Sequence, residues 1–111
     1  MEIEKYMHGP VIVITLDGEL DSGTAPRVHE QIGDLVPAGS RVLINLSKTS
    51  YLSSAGLRVL LLLYRQAANN GTKLALACVP EDVRMVMSAT GFLSFFTVAE
   101  TVADGVLSLG A

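Results

Sequence analysis

Residues 52–64 read Leu-Ser-Ser-Ala-Gly-Leu-Arg-Val-Leu-Leu-Leu-Leu-Tyr, and this stretch decides the fold. Apolar residues occupy nearly every position after Gly56, which predicts a helix over residues 54–68 that is covered by other elements on more than one side. Ser53 and Ser54 stand at the start of this helix. A helix held in this way gives both hydroxyl groups fixed positions, so the two serines are the first candidates for a functional site.

The segment before these serines is predicted to be a buried strand. Arg41–Ser47 reads Arg-Val-Leu-Ile-Asn-Leu-Ser, which suits a strand in the middle of a parallel sheet. Lys48–Leu52 is interpreted as the loop between this strand and the helix. In open α/β sheets, the loops that follow the carboxyl ends of the strands carry the functional groups.

The rest of the chain alternates between strand-like and helix-like patterns. Strands that alternate with helices of this length predict an α/β fold with right-handed crossovers, and a mixed, mostly parallel β-sheet that opens with an N-terminal hairpin. The further predicted elements are strands Ile3–Met7 and Val11–Leu16 joined at His8-Gly9-Pro10, a polar loop Asp17–Ser22, a helix from Ala25 to Val36, a strand over 73–79, a helix after Pro80, a strand Phe95–Val98 and a helix over 100–109.

Size and composition exclude several classes of protein. The 111 residues suffice for one domain, expected to span 1–111, and with half of them apolar and 17% charged the chain is globular. A net charge of −3 argues against a nucleic-acid partner. The single Cys78, the absence of a signal-peptide pattern and the lack of a long apolar run predict a cytoplasmic protein with no membrane segment.

Enzymatic motifs are incomplete. Residues 18–23 have the glycine spacing of the first half of a phosphate-binding P-loop, but the lysine and hydroxyl residue that should follow are absent. Ser54, His29 and Asp21 could form a hydrolase triad on paper, yet Leu52 occupies the place where a nucleophile elbow needs glycine. No metal site or cofactor is predicted, and we expect no catalytic activity.

Two interpretations of the serine pair stay open on the residues alone. In the first, one serine caps the helix and the other is solvated. In the second, Ser54 is phosphorylated, because a phosphate there would face the helix amides and the positive end of the helix dipole. Arg58, one turn further on, could help neutralise the added charge.

Two motifs together carry a resemblance to a known family. The loop Gly18-Glu19-Leu20-Asp21 and the segment from Leu52 to Leu57, in the element order β-β-α-β-α-β-α-β-α, are similar to those of the STAS domain family of anti-sigma factor antagonists. The resemblance spans essentially the whole chain. It implies the STAS fold, with the Gly-Glu-Leu-Asp loop beside the acceptor serine.

The resemblance also implies a function. In such proteins the serine two residues before the glycine, here Ser54, is phosphorylated by an anti-sigma factor that is also an ATP-dependent serine protein kinase. The unphosphorylated form binds this kinase and releases the sigma factor, and a PPM-type serine phosphatase reverses the modification. The partner surface implied by the resemblance and by the helix start comprises Glu19, Asp21, Ser22, Ser53, Ser54, Gly56 and Arg58.

The sequence departs from the family pattern at two places. The family often has aspartate where this chain has Ser53, and an Asp-Leu-Ser where this chain has Asn45-Leu46-Ser47. Ser53 therefore remains the alternative acceptor. Two further hypotheses are a scaffold subunit of a larger signalling complex and a module that binds a small ligand or nucleotide. If the protein is a free-standing anti-sigma factor antagonist, we expect a monomer or a weak homodimer.

Overall fold

The computed structural model describes residues 1–110 as a mixed sheet with helices on both faces. These residues form four α-helices and six strands, with a 3-10 turn at Leu93–Phe95. Their bounds are β1 Glu2–His8, β2 Val11–Leu20, α1 Ala25–Leu35, β3 Arg41–Asn45, β4 Thr49–Leu52, α2 Ser54–Asn70, β5 Lys73–Ala77, α3 Glu81–Ala89, β6 Thr97–Ala99 and α4 Val102–Ser108.

The sheet has the strand order β1-β2-β3-β5-β6. β1 and β2 form the predicted antiparallel hairpin, and β2, β3, β5 and β6 are parallel to one another. The carboxyl ends of the parallel strands therefore lie at one edge of the sheet, which is the edge where α2 begins. The predicted class, an α/β fold with a mostly parallel sheet and an N-terminal hairpin, is confirmed.

Both faces of the central strands are buried. Side chains alternate along β2, so Ile12 and Ile14 pack with helices α1, α2 and α3, while Val11 and Val13 pack with α4 on the opposite face. This double burial explains why β2 reads as a continuous apolar run. Leu60 of α2 is fully buried in the larger cluster, which fixes α2 against the sheet.

The predictions of two loops are wrong, because strands occupy most of both segments. The segment predicted as a polar loop at Asp17–Ser22 continues β2 as far as Leu20, and most of the predicted loop Lys48–Leu52 is strand β4. β4 pairs in parallel with the end of β2, placing Leu52 beside Leu20. The buried hydroxyl of Thr49 donates a hydrogen bond of 2.9 Å to the carbonyl of Leu16 and ties the two segments together.

The remaining differences concern boundaries. The last strand is Thr97–Ala99 rather than Phe95–Val98, because Leu93–Phe95 forms the 3-10 turn. The strand predicted over 73–79 ends at Ala77, and Cys78 adopts a φ of +56° that a strand cannot continue. The predicted stop of α2 at Asn69-Asn70-Gly71 is confirmed, with Gly71 in the left-handed conformation at the helix end.

Candidate functional site

The two serines at the start of α2 have different structural roles. Ser53 is the N-cap: its backbone is extended, and its hydroxyl oxygen accepts a hydrogen bond of 3.2 Å from the amide of Gly56. Ser54 is the first residue of the helix and is exposed. Within residues 1–110, its hydroxyl forms no hydrogen bond to another residue of the protein. The cap is therefore assigned to Ser53, and the hydroxyl of Ser54 is available to a partner.

The start of α2 lies directly against the end of β2. The carbonyl of Leu20 accepts a hydrogen bond of 3.0 Å from the amide of Ser53. A Cβ atom at position 56 would lie 2.9 Å from the carbonyl carbon of Leu20 and closer still to its oxygen, so only glycine permits this approach. We call this contact, formed by Leu20, Ser53 and Gly56, the β2–α2 junction.

The junction brings together the two motifs that the sequence singled out. Gly18 to Asp21 covers the end of β2, and Ser53 to Gly56 begins α2. Gly56 itself is buried, so its contribution to the site is to hold α2 in place. Glu19 and Ser54 are exposed at this edge, and a partner can reach both side chains.

Asp21 supports the turn that leads into α1. Its carboxylate oxygen Oδ1 accepts hydrogen bonds from the amides of Gly23 and Thr24, at 2.9 and 3.1 Å. The N-cap of α1 is Thr24, and its side chain makes no capping hydrogen bond. The hydroxyl of Thr24 instead donates to the carbonyl of Glu19 at 2.8 Å, so the turn is tied to the end of β2.

Ser22 and Arg58 lie together on a groove between α1 and α2. The groove has a volume of about 370 Å³, and its lining includes Ala55, the residue before Gly56 of the junction. Both Ser22 and Arg58 are exposed. We call this groove the α1–α2 groove. It is defined by Ala25, Pro26 and His29 of α1 and by Ala55, Arg58 and Leu62 of α2.

Three other features concern metal binding, the contacts of His29 and Asp21, and membrane spanning. In residues 1–110, no group of three or more His, Cys, Asp or Glu side chains is placed to hold a metal ion. His29 lies within hydrogen-bond distance of Gln66, with 3.0 Å between the two Nε2 atoms, and Asp21 accepts from backbone amides. Of the helices that the structure describes, none is long and apolar enough to span a membrane.

The sequence pattern of the STAS domain matches residues 2–105. The chain belongs to the STAS domain family. The match covers the helices and strands from β1 to the middle of α4, including both sides of the β2–α2 junction. The resemblance read from Gly18–Asp21 and Leu52–Leu57 is thereby confirmed at the level of the family.

A curated relative of this STAS domain is BtrV of Bordetella bronchiseptica, whose name describes it as a proposed anti-sigma factor antagonist. It is 35% identical over 92 residues, which cover 82% of this chain and 79% of BtrV. The anti-sigma F factor antagonist of Paenibacillus polymyxa is 22% identical over 111 residues, covering 98% and 95% of the two chains.

Solved structures agree with the fold. An anti-sigma factor antagonist from Mycobacterium paratuberculosis superposes with a TM-score of 0.88 at 24% identity, over 99% of this chain and 94% of the other. SpoIIAA in its unphosphorylated form superposes with a TM-score of 0.78 at 19% identity, over 97% and 96%. At these identities the likeness establishes the STAS fold.

Two features of the site escaped the sequence. Strand β4 was missed, although Thr49 and Tyr51 are residues that favour strands. The α1–α2 groove was also missed. Two sequence signals could have indicated this groove. Small residues, Ala25 and Ala55, lie on the two facing helices, and Leu62 is an apolar residue outside the buried face of α2.

The β2–α2 junction predicts opposite effects for one substitution at two helical glycines. Gly56→Ala should lower the free energy of unfolding by about 2–3 kcal/mol, because the new methyl group meets the backbone of Leu20. Gly33→Ala in α1 is the matched control: a Cβ there meets nothing within 4 Å, so the higher helix propensity of alanine should stabilise the protein by about 0.5–1 kcal/mol. Chemical denaturation measures both, and equal effects would contradict the junction.

The two serines should also differ in stability. Ser53→Ala removes the cap and should lower the free energy of unfolding by about 1 kcal/mol. Ser54→Ala removes an exposed hydroxyl and should change it by less than about 0.5 kcal/mol. Thermal and urea unfolding of the two variants give the comparison, and a larger loss for Ser54→Ala would reverse the assignment of the cap.

Proposed function

We propose that this STAS domain is an anti-sigma factor antagonist that is switched by phosphorylation of Ser54. In the unphosphorylated state it binds an anti-sigma factor that is also a serine protein kinase, and the sigma factor is released. A PPM-type serine phosphatase restores the binding state. The observation that carries the proposal is the exposed, unengaged hydroxyl of Ser54 on a rigidly placed helix start. The names of the relatives support the antagonist role.

The chemistry requires only an accessible alcohol from this chain. The Ser54 oxygen attacks the γ-phosphorus of ATP, the bond from that phosphorus to the bridging oxygen of ADP breaks, and a base on the kinase takes the hydroxyl proton. The kinase supplies ATP, the metal and the base, so the STAS domain is a substrate and needs no catalytic group.

Ser54 is favoured over Ser53 as the acceptor because the two hydroxyl groups differ in accessibility. Ser53 is half-buried and its oxygen holds the amide of Gly56, so its phosphorylation would have to break the cap. A phosphate on Ser54 lies in the first turn of α2, near the amides at the positive end of the helix dipole. The domain can carry it without unfolding.

The unphosphorylated contact is proposed to include the exposed side chains around the acceptor. Glu19, Ser22 and Arg58 are exposed at the edge where Ser54 lies, while Asp21 contributes by fixing the turn that holds Ser22. A phosphate in the middle of such a contact must be desolvated or must meet like charge. A penalty of about 3–4 kcal/mol lowers affinity by about two to three powers of ten.

Phosphorylation should occur on one serine only. After treatment with a candidate kinase and ATP, intact-mass analysis should show one phosphate on the wild type and on Ser53→Ala, and none on Ser54→Ala. The Ser53→Ala variant controls for loss of the cap. A phosphate retained by Ser54→Ala and lost from Ser53→Ala would assign the acceptor to Ser53.

The modification should control affinity. Ser54→Ala should bind the kinase with the affinity of the wild type, whereas Ser54→Asp should bind about 100-fold more weakly, because the carboxylate imitates part of the phosphate charge. Titration calorimetry with the kinase in its ADP-bound form measures both. Equal affinities of the wild type and Ser54→Asp would refute the switch.

A further inference from the structure

We propose that the α1–α2 groove receives a segment of the kinase partner that carries an apolar side chain beside a carboxylate, and that Arg58 couples this groove to the state of Ser54. In the unphosphorylated protein, Arg58 pairs with the partner's carboxylate. In the phosphorylated protein, it pairs with the phosphate. The inference rests on the proposed function and identifies the chemistry of the partner that the same site accepts.

The lining of the groove determines the apolar part of this partner. Leu62 is 38% exposed, whereas the other leucines of α2 are buried or half-buried. Pro26 and Ala55 complete an apolar wall on the two helices. A groove of about 370 Å³ accommodates one or two side chains of a docking segment.

The charges around the groove determine the polar part of the partner. The chain carries a net charge of −3, yet none of the described residues that line this groove is acidic. Arg58 and His29 are the basic residues of the lining, and the ring of His29 is held at Gln66, 3.0 Å away. The guanidinium of Arg58 is a permanent positive charge at the groove, and it complements a carboxylate on the partner.

Arg58 is also placed to sense Ser54. The two residues are four positions apart on α2 and both are exposed, so their side chains are neighbours on one helix face. A negative group four residues before an arginine is the favourable order for a pair along a helix. A phosphate on Ser54 therefore competes with the partner for the same guanidinium, in addition to repelling the partner's carboxylate.

The first arm of the test needs no kinase. Phosphoserine is installed at position 54 during translation, and the Nε–Hε signals of the arginines are compared with those of the unmodified protein by NMR. The signal of Arg58 should shift on phosphorylation, as expected for a hydrogen bond to phosphate. Arg65, exposed two turns further along α2, is the internal control and should not shift. Equal behaviour of both signals would overturn the pairing.

The second arm uses the purified kinase, bound to ADP, that phosphorylates Ser54. Arg58→Gln should weaken binding about five-fold, and it should reduce the penalty of Ser54→Asp from about 100-fold to about 20-fold. Leu62→Asp should weaken binding at least about ten-fold. Leu107→Asp, at a leucine on α4 that is 67% exposed, should leave the affinity unchanged.

The outcomes separate the two proposals. If Ser54→Ala binds the kinase while Leu62→Asp binds equally well, or if the Ser54→Asp penalty is unchanged by Arg58→Gln, the groove is not the docking site. If neither the wild type nor Ser54→Ala binds any serine kinase, the antagonist function fails, and the NMR arm still decides whether Arg58 pairs with the phosphate.

Discussion

The close approach of α2 to the end of β2 is the contact on which the rest of the site depends. A backbone hydrogen bond from Ser53 to Leu20 and the missing side chain at Gly56 let the first turn of the helix rest on the strand. Because α2 is also buried along its length against the sheet, its first turn has one position. The place of Ser54 at the surface follows from that position.

The two adjacent serines at the junction differ in their roles: Ser53 caps α2, and Ser54 is exposed. The hydroxyl of Ser53 accepts the capping hydrogen bond from the amide of Gly56, so a modification of Ser54 leaves this cap in place. The carboxylate of Asp21 plays a comparable structural part in the neighbouring turn. The phosphorylation that we propose for Ser54 would therefore change the charge of this surface while the cap stays in place.

The sequence predicted those parts of the fold that local patterns determine. The apolar pattern of α2, the Gly71 stop and the β1–β2 hairpin are encoded in nearby residues. Strand β4 was not predictable in the same way, because Ser50 and Tyr51 are both exposed and the segment lacks period-two alternation. β4 pairs with the end of β2, and the sequence of that end is also typical of a polar loop. Both wrong loop predictions therefore have the same cause, which is a pairing between two segments that are distant in the sequence.

The choice between the two serines illustrates a second limit of the sequence. Which serine caps α2 depends on a helix boundary that local patterns leave uncertain by a residue or more. Hydrogen exchange at the Ser53 amide, compared with and without phosphoserine at position 54, tests the central claim most directly. The account predicts equal protection in both states, because the junction stays closed while the surface charge changes. Loss of protection on phosphorylation would show that the modification acts by opening the start of α2, and would contradict the account.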